Sequence, residues 1–350
     1  MQLLSRSIIS HIVLAIVQDV LHYMTTSRQF AVDRRTFLAA SGLGIGSLMP
    51  GCARQWPETQ PQKARSSKAR VSRFVDAHIH CYDPGRKGGE VWPEQKDKLL
   101  DRTVLPRDFL KTAESHAVRE SILVEASHRI EDNQWLLDLA DENPSILGVV
   151  GNLPVGDLEF QGHLELFAKN PLFRGIRIRE KELADFSGVS YVDDLRYIAA
   201  QGLSVDVLGG PAMLPNIVNL AEIVPTLRII INHFPFDIST DSFVRDAAER
   251  AMENLATRPN VFAKVSNIVR KLAPEFQHAA TYRSGLDHLW KIFGENRLLY
   301  GSNWPVSDHT APYSMAIDIL KEYLAEMPVE QSEKFFWRNS RVAYDWKERS

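Results

Sequence analysis

Two histidines stand two residues apart in Val75-Asp76-Ala77-His78-Ile79-His80, and a third ends the run Ile229-Ile230-Ile231-Asn232-His233. Residues i and i+2 of a strand point the same way, so His78 and His80 can act together on one ligand. Imidazoles so placed can chelate a divalent metal, zinc being the usual choice, or grip the oxygen atoms of a substrate. For His-x-His by itself, a pair of hydrogen-bonded core histidines is the competing reading. His233 is a plausible third ligand or an electrophile if its strand opens on the same side. Glu125 closes a further apolar run, Leu123-Val124-Glu125-Ala126. A carboxylate desolvated at such a place rises toward the range of a general base unless a cation pairs with it. Arg129 and Arg177 are the cations expected to compete for it.

These groups meet only if the elements carrying them converge. From Phe74 onward, short β-branched runs alternate with amphipathic stretches, the pattern of a parallel sheet with helices outside it. Strands are expected at Phe74–His80, Ser121–Ala126, Ile146–Leu153, Gly175–Ile178, Leu203–Leu208, Leu227–His233, Val261–Ser266 and Leu298–Ser302. Helices are expected between them, among them Asp132–Glu142, Asp157–Ala168, Asp193–Ala200, Met213–Ile223, Thr240–Ala256, Leu286–Phe293 and Tyr313–Ala325. Eight strand–helix units suit a closed (β/α)₈ TIM barrel. An open doubly wound sheet lacks its glycine-rich phosphate loop here. In a barrel the chemistry sits at the C-terminal strand ends, where His78, His80, Glu125, Arg177, His233 and Asn303 would all lie.

The segments Asp76-Ala77-His78-Ile79-His80, Asn232-His233, Lys264-Val265-Ser266 and Gly301-Ser302-Asn303-Trp304-Pro305-Val306 resemble, in this order, the amidohydrolase-related superfamily. Within it they are most similar to the lactonase branch, the sugar-lactone and pyrone-dicarboxylate lactonases. Supporting segments are Trp135–Ala140, Gly148–Leu153 and Phe173–Arg177, and the resemblance spans residues 73–347. It implies a distorted barrel that hydrolyses a cyclic ester or a related C–O or C–N bond. The strand-one histidines would bind a metal or the substrate carbonyl and carboxylate. Arg177 would hold an anionic or hydroxylated substrate, and a strand-eight carboxylate would be the general base.

At that last place the chain departs from the pattern. The position is Asn303, and the residue before the strand-six histidine is Asn232. An amide cannot take a proton at neutral pH. Glu125, where the lactonase branch more often carries Gln, is the candidate replacement, and Asp308 beside His309 is a second. The expected catalytic set is therefore His78, His80, Glu125, His233 and Asn303. A metal, if one is used, would rest on His78, His80, Glu125 and His233, and a metal-independent reaction stays equally open. Arg177, Lys264 and Trp304 are candidate substrate contacts, Trp304 as a wall of the pocket. For Lys264 and Asp206 a structural salt bridge is the preferred reading. The segment from Lys87 to Leu100, with Trp92, would cover the mouth.

Composition narrows the partners. The 350 residues are 44% hydrophobic and 24% charged, with a formal net charge of -3 and no basic stripe, which disfavours nucleic acid and fits a small-molecule substrate. Residues 1–53 read as an N-terminal extension and export signal, 54–72 as a flexible linker, and 73–350 as the barrel. Asp33-Arg34-Arg35-Thr36-Phe37-Leu38 opens a short small-residue run and resembles a twin-arginine signal. Residues 1–23, apolar but carrying Asp19, make a poor membrane span and are expected to precede a true start at Met24. Met49-Pro50-Gly51-Cys52 resembles a degraded lipobox, so membrane contact would come only through the signal or a lipid on Cys52. Of the two cysteines, Cys81 is expected to be a small buried hydrophobe. Three functions follow: an exported hydrolase opening a lactone or related ester or amide, a decarboxylase-type lyase on the same scaffold, or a binding protein without catalysis.

Overall fold

In the computed structural model the described residues are 70–88, 92–93, 96–183, 189–233, 242–269 and 276–349. The signal, the lipobox and the assigned linker as far as residue 69 lie outside them; of the linker's last three residues, Ser72 is tied to the barrel by a hydrogen bond to Glu333. Eight strands run β1 (Val75–Ile79), β2 (Glu120–Val124), β3 (Ile146–Gly151), β4 (Phe173–Arg179), β5 (Ser204–Leu208), β6 (Arg228–Ile231), β7 (Val261–Val265) and β8 (Leu298–Tyr300). Each pairs in parallel with the next in chain order. The ring closes past the end of β8, where Ile79 bridges Trp304. There His80 N donates to Trp304 O at 2.9 Å and Asn303 N to His78 O at 2.8 Å. This is a (β/α)₈ barrel. Its strands are buried on both faces, which is why runs such as Ile229-Ile230-Ile231 are continuously apolar instead of alternating.

The expected elements form with small shifts of boundary. Asp132–Glu142 is a helix as read, whereas the helix expected from Leu286 begins earlier, at Ala279. Pro106–Ala113 is a helix that periodicity did not reveal. Its signals are a proline in the first turn and Asp108, whose carboxylate accepts from Leu105 N at 2.9 Å.

Within the barrel the side chains form an apolar floor, a charged middle and a polar mouth. Val75, Ala77, Ile122, Phe262 and Leu299 belong to the floor, and Tyr344 and Trp346 from the chain's end pack into it. The terminal residues strap the N-terminal strand ends: Arg228 donates to Ala343 O at 2.8 Å, Arg174 to Asp345 O at 3.1 Å, and Arg349 to Ile146 O at 2.8 Å. The aromatic clusters near the C-terminus are packing groups: Phe335 and Phe336 lie against Tyr300, and Tyr344 and Trp346 sit in the floor. Above the floor, Asp206 and Lys264 are fully buried and ion-paired at 2.6 Å.

Candidate active site

Strand alternation carries the chemistry to the mouth. His78 and His80 on β1 are both buried, their rings 5.0 Å apart edge-to-face, and the His233 ring lies 4.5 Å from that of His78. His233 and Asn303 leave β6 and β8 in left-handed backbone conformation, φ 51° and 65°. Histidine and asparagine tolerate that region better than most residues, and such outliers gather at functional sites. Gly301 makes room for the cluster, since a Cβ there would lie 2.9 Å from the His78 Cβ.

Each imidazole has a distinct partner. His78 Nδ1 lies 3.1 Å from Lys264 Nζ, while its Nε2 is buried without a hydrogen bond. His80 Nδ1 donates to Val124 O at 2.9 Å, and its Nε2 lies 3.2 Å from Asn303 Oδ1. His233 Nδ1 meets Ser266 Oγ at 2.8 Å. Burial, with the positive charge of Lys264 next, holds His78 well below the ordinary imidazole value. His80 is brought down to about 4 by burial and by Arg177. Both rings are thus neutral at pH 7. Beneath them, burial lifts Asp76 to about 6 against the hydrogen bonds that Ser302 N and His78 N give it. Burial also lowers Lys264, and the Asp206 carboxylate opposes that.

Glu125 is buried in a clamp of two guanidinium groups. Arg177 Nε donates to its Oε1 at 2.7 Å and Arg177 Nη2 to its backbone carbonyl at 2.7 Å, while Arg179 Nη2 reaches the same Oε1 at 2.8 Å. Its Oε2 is buried with no hydrogen-bond partner. The competing cation is thus Arg177, as foreseen, whereas Arg129 turns to Glu131. Arg179 was missed, although Arg177-x-Arg179 obeys the same i, i+2 rule as the histidines. Ser266, two residues after Lys264, was missed for the same reason.

Other expected groups lie elsewhere. The Trp304 ring packs against Phe109 of the Pro106–Ala113 helix and under Arg102, so this residue faces the outer layer and not a pocket wall. Asp308 stays with Trp304 and Arg102, and burial raises its carboxyl. His309 pairs with Asp97 at 2.9 Å on the surface. Trp92 is the aromatic group nearer the site, its ring 6.1 Å from that of His80; the first loop around it is only partly within the described residues. Lys264 forms the buried salt bridge preferred for it and touches His78 besides. Cys81 is a free, buried thiol, its pKa pushed up by burial.

The four groups assigned to a metal do not form a ligand set as placed. Among the described residues, no three His, Cys, Asp or Glu side chains converge as a metal cluster. Glu125 Oε1 is taken by two arginines and His78 Nδ1 faces an ammonium, while the His80 Nδ1 bond to a backbone carbonyl leaves its Nε2 as the ring's one open nitrogen. As placed, Glu125 and His78 do not complete a ligand set for a cation with His80 and His233.

The amidohydrolase family profile matches residues 75–346. An L-fucono-1,5-lactonase of Burkholderia ambifaria is 31% identical over 244 residues, covering 67% of this chain and 80% of that protein. Another L-fucono-1,5-lactonase, from Burkholderia multivorans, is 27% identical, covering 74% and 91% of the two chains. Among solved structures, a Burkholderia multivorans amidohydrolase with bound zinc superposes with a TM-score of 0.70 at 20% identity, covering 79% of this chain and all of that one. At that identity the likeness shows the fold. The ordered motifs, the barrel and these matches together establish that the chain belongs to the amidohydrolase family, in its lactonase-like branch, and is a hydrolase.

Proposed function

We propose that the protein opens a small sugar-derived lactone, or a closely related cyclic ester, by attack of water. The observation that carries this reading is a pair of buried, unpartnered polar atoms at the strand ends, His78 Nε2 and Glu125 Oε2. An orphaned buried polar group is costly, and a substrate and its attacking water would satisfy both. The neutral imidazole of His78 lines the place for the substrate carbonyl, where its Nε2–H can stabilise the oxyanion, with the rings of His80 and His233 beside it. Paired with two arginines, Glu125 is not the unpaired carboxylate that the sequence left open. The base role proposed for it rests on the free Oε2, which takes a proton from water as the water oxygen bonds to the carbonyl carbon. The ring C–O bond then breaks, and the leaving oxygen takes that proton. The product is a hydroxy acid, and Arg177 with Arg179 supplies positive charge toward its carboxylate. Likeness to the L-fucono-1,5-lactonases supports the substrate class.

A divalent ion remains a candidate cofactor because a related structure holds zinc, but the side chains here favour a reaction carried by protein groups. Export is part of the same proposal and rests on the Arg34-Arg35 signal. Proton release with a panel of aldonolactones, with and without chelator, tests the chemistry. Fusing residues 24–60 to a reporter, with Arg34→Lys/Arg35→Lys as control, tests the export. Transport that survives the control would remove the twin-arginine route.

A further inference from the structure

Resting on the reading above, we infer that His78 and His80 are held in opposite tautomers, and that Lys264 is the positioning residue that makes His78 the group polarising the carbonyl. The two hydrogen bonds on β1 assign this. Lys264 Nζ is 2.6 Å from Asp206 Oδ2 and 3.1 Å from His78 Nδ1. An ammonium group has three donors and no acceptor, so His78 Nδ1 must bring a lone pair. A neutral His78 then carries its proton on Nε2, the atom left without a partner. Asp206 keeps the ammonium in place and is itself held from the other side, Tyr344 Oη donating to Oδ1 at 2.8 Å. The chain Tyr344–Asp206–Lys264–His78 thus runs from the barrel floor to the mouth, every member buried.

His80 is bound the other way round. Val124 O can only accept, so His80 Nδ1 carries the proton and Nε2 bears the lone pair. The neighbouring group is the Asn303 amide, placed with its Oδ1 3.2 Å from Nε2. An oxygen against that lone pair would repel, so the assignment requires the amide turned over, with Nδ2 donating to Nε2. A carboxylate at 303 would instead demand a proton on Nε2 and a charged ring. The amide in the strand-eight position therefore goes together with a neutral, accepting His80. One His-x-His pair thus presents one donor and one acceptor. His78 Nε2–H polarises the carbonyl, and His80 Nε2 is open to accept from Asn303 or from water. The same assignment leaves His78 no lone pair toward the mouth, which is why it does not serve as a metal ligand.

The test reads the tautomers directly. The chelator-treated protein, with imidazole nitrogens labelled with ¹⁵N, is studied by NMR at neutral pH, the signals being assigned through His78→Gln and His80→Gln. The expected result is protonated Nε2 with bare Nδ1 for His78, and the reverse for His80. Equal tautomers, or a proton on His78 Nδ1, would overturn the inference. Lys264→Met/Asp206→Asn removes both buried charges together, so that neither is stranded. It should turn His78 into a mixture while His80 keeps its signals, and lower kcat about 100-fold with little change in KM. Lys264→Arg, which retains donors, should restore part of both. A His78 tautomer unmoved by the double substitution would deny Lys264 this role. Absence of turnover with every lactone would sink the functional reading while leaving the tautomer result standing.

Discussion

Arg177 binds Glu125 twice, its Nε to the carboxylate and its Nη2 to the backbone carbonyl of the same residue, both at 2.7 Å. The double contact fixes the Glu125 backbone as well as its head group, and Arg179 completes the clamp on Oε1. What this leaves free is Oε2, so the carboxylate is rigid and has one oxygen for water.

Glu125→Gln keeps an acceptor for both arginines but removes the base. On a lactone the protein turns over, kcat should fall about 10²–10⁴-fold with KM little changed. Steady-state kinetics alongside circular dichroism check this. A variant as active as the parent would move the base elsewhere, with His80 next.

The buried Lys264–Asp206 pair makes a stability prediction. Lys264→Met alone strands the Asp206 carboxylate in the barrel and should cost about 3–5 kcal/mol. The paired variant Lys264→Met/Asp206→Asn should recover a good part of that. Urea unfolding midpoints compare them. A single variant as stable as the parent would mean that the pair is not held as described.

Much of this site could be read from the chain. Eight short β-branched runs alternating with amphipathic stretches predicted the barrel, and the i, i+2 rule placed His78 and His80 at its mouth. The departure at Asn303 was visible as well, and so was the pairing of Glu125 with Arg177. What stayed hidden depends on contacts between strands distant in sequence. Lys264 and His78 are 186 residues apart, and no local pattern says that an inward lysine on β7 will reach a histidine on β1. Trp304 was misplaced because the backbone turns at Asn303 and sends the next side chain outward to Phe109. Arg179 was an avoidable omission, since the alternation that found the histidines points to it too.

Acidification should weaken the chelator-treated protein. His80 titrates near pH 4 when folded, against an ordinary 6.5, so between these values the unfolded chain binds a proton that the folded chain does not. Its contribution is complete above pH 6.5 and disappears as pH falls to about 4, a loss of about 3 kcal/mol. His78 is displaced in the same direction. Asp76 acts oppositely: its folded value of about 6 exceeds the ordinary 3.8, so its contribution is present at low pH and is lost as pH rises between them. Two imidazoles outweigh one carboxyl, and the urea midpoint should drop from pH 7 to pH 5. His80→Gln should flatten that dependence. A midpoint that climbs toward pH 5 would contradict the burial assigned to these rings.

Gly301 gives a steric test that leaves every polar group in place. Gly301→Ala puts a methyl group 2.9 Å from the His78 Cβ, a distance that requires His78 or its strand to move. Stability should fall by about 1–3 kcal/mol, and kcat should fall with it. Thermal unfolding and kinetics together decide. Full activity in the variant would show that the position of His78 is not critical.

Proton release from aldonolactones measures the proposed ring opening most directly. Acid release is expected from at least one sugar-derived lactone, persisting in chelator and abolished by His78→Ala. Release that requires an added divalent ion would contradict a reaction carried by His78, His80 and Glu125 alone, and no release from any lactone would contradict the proposed reaction itself.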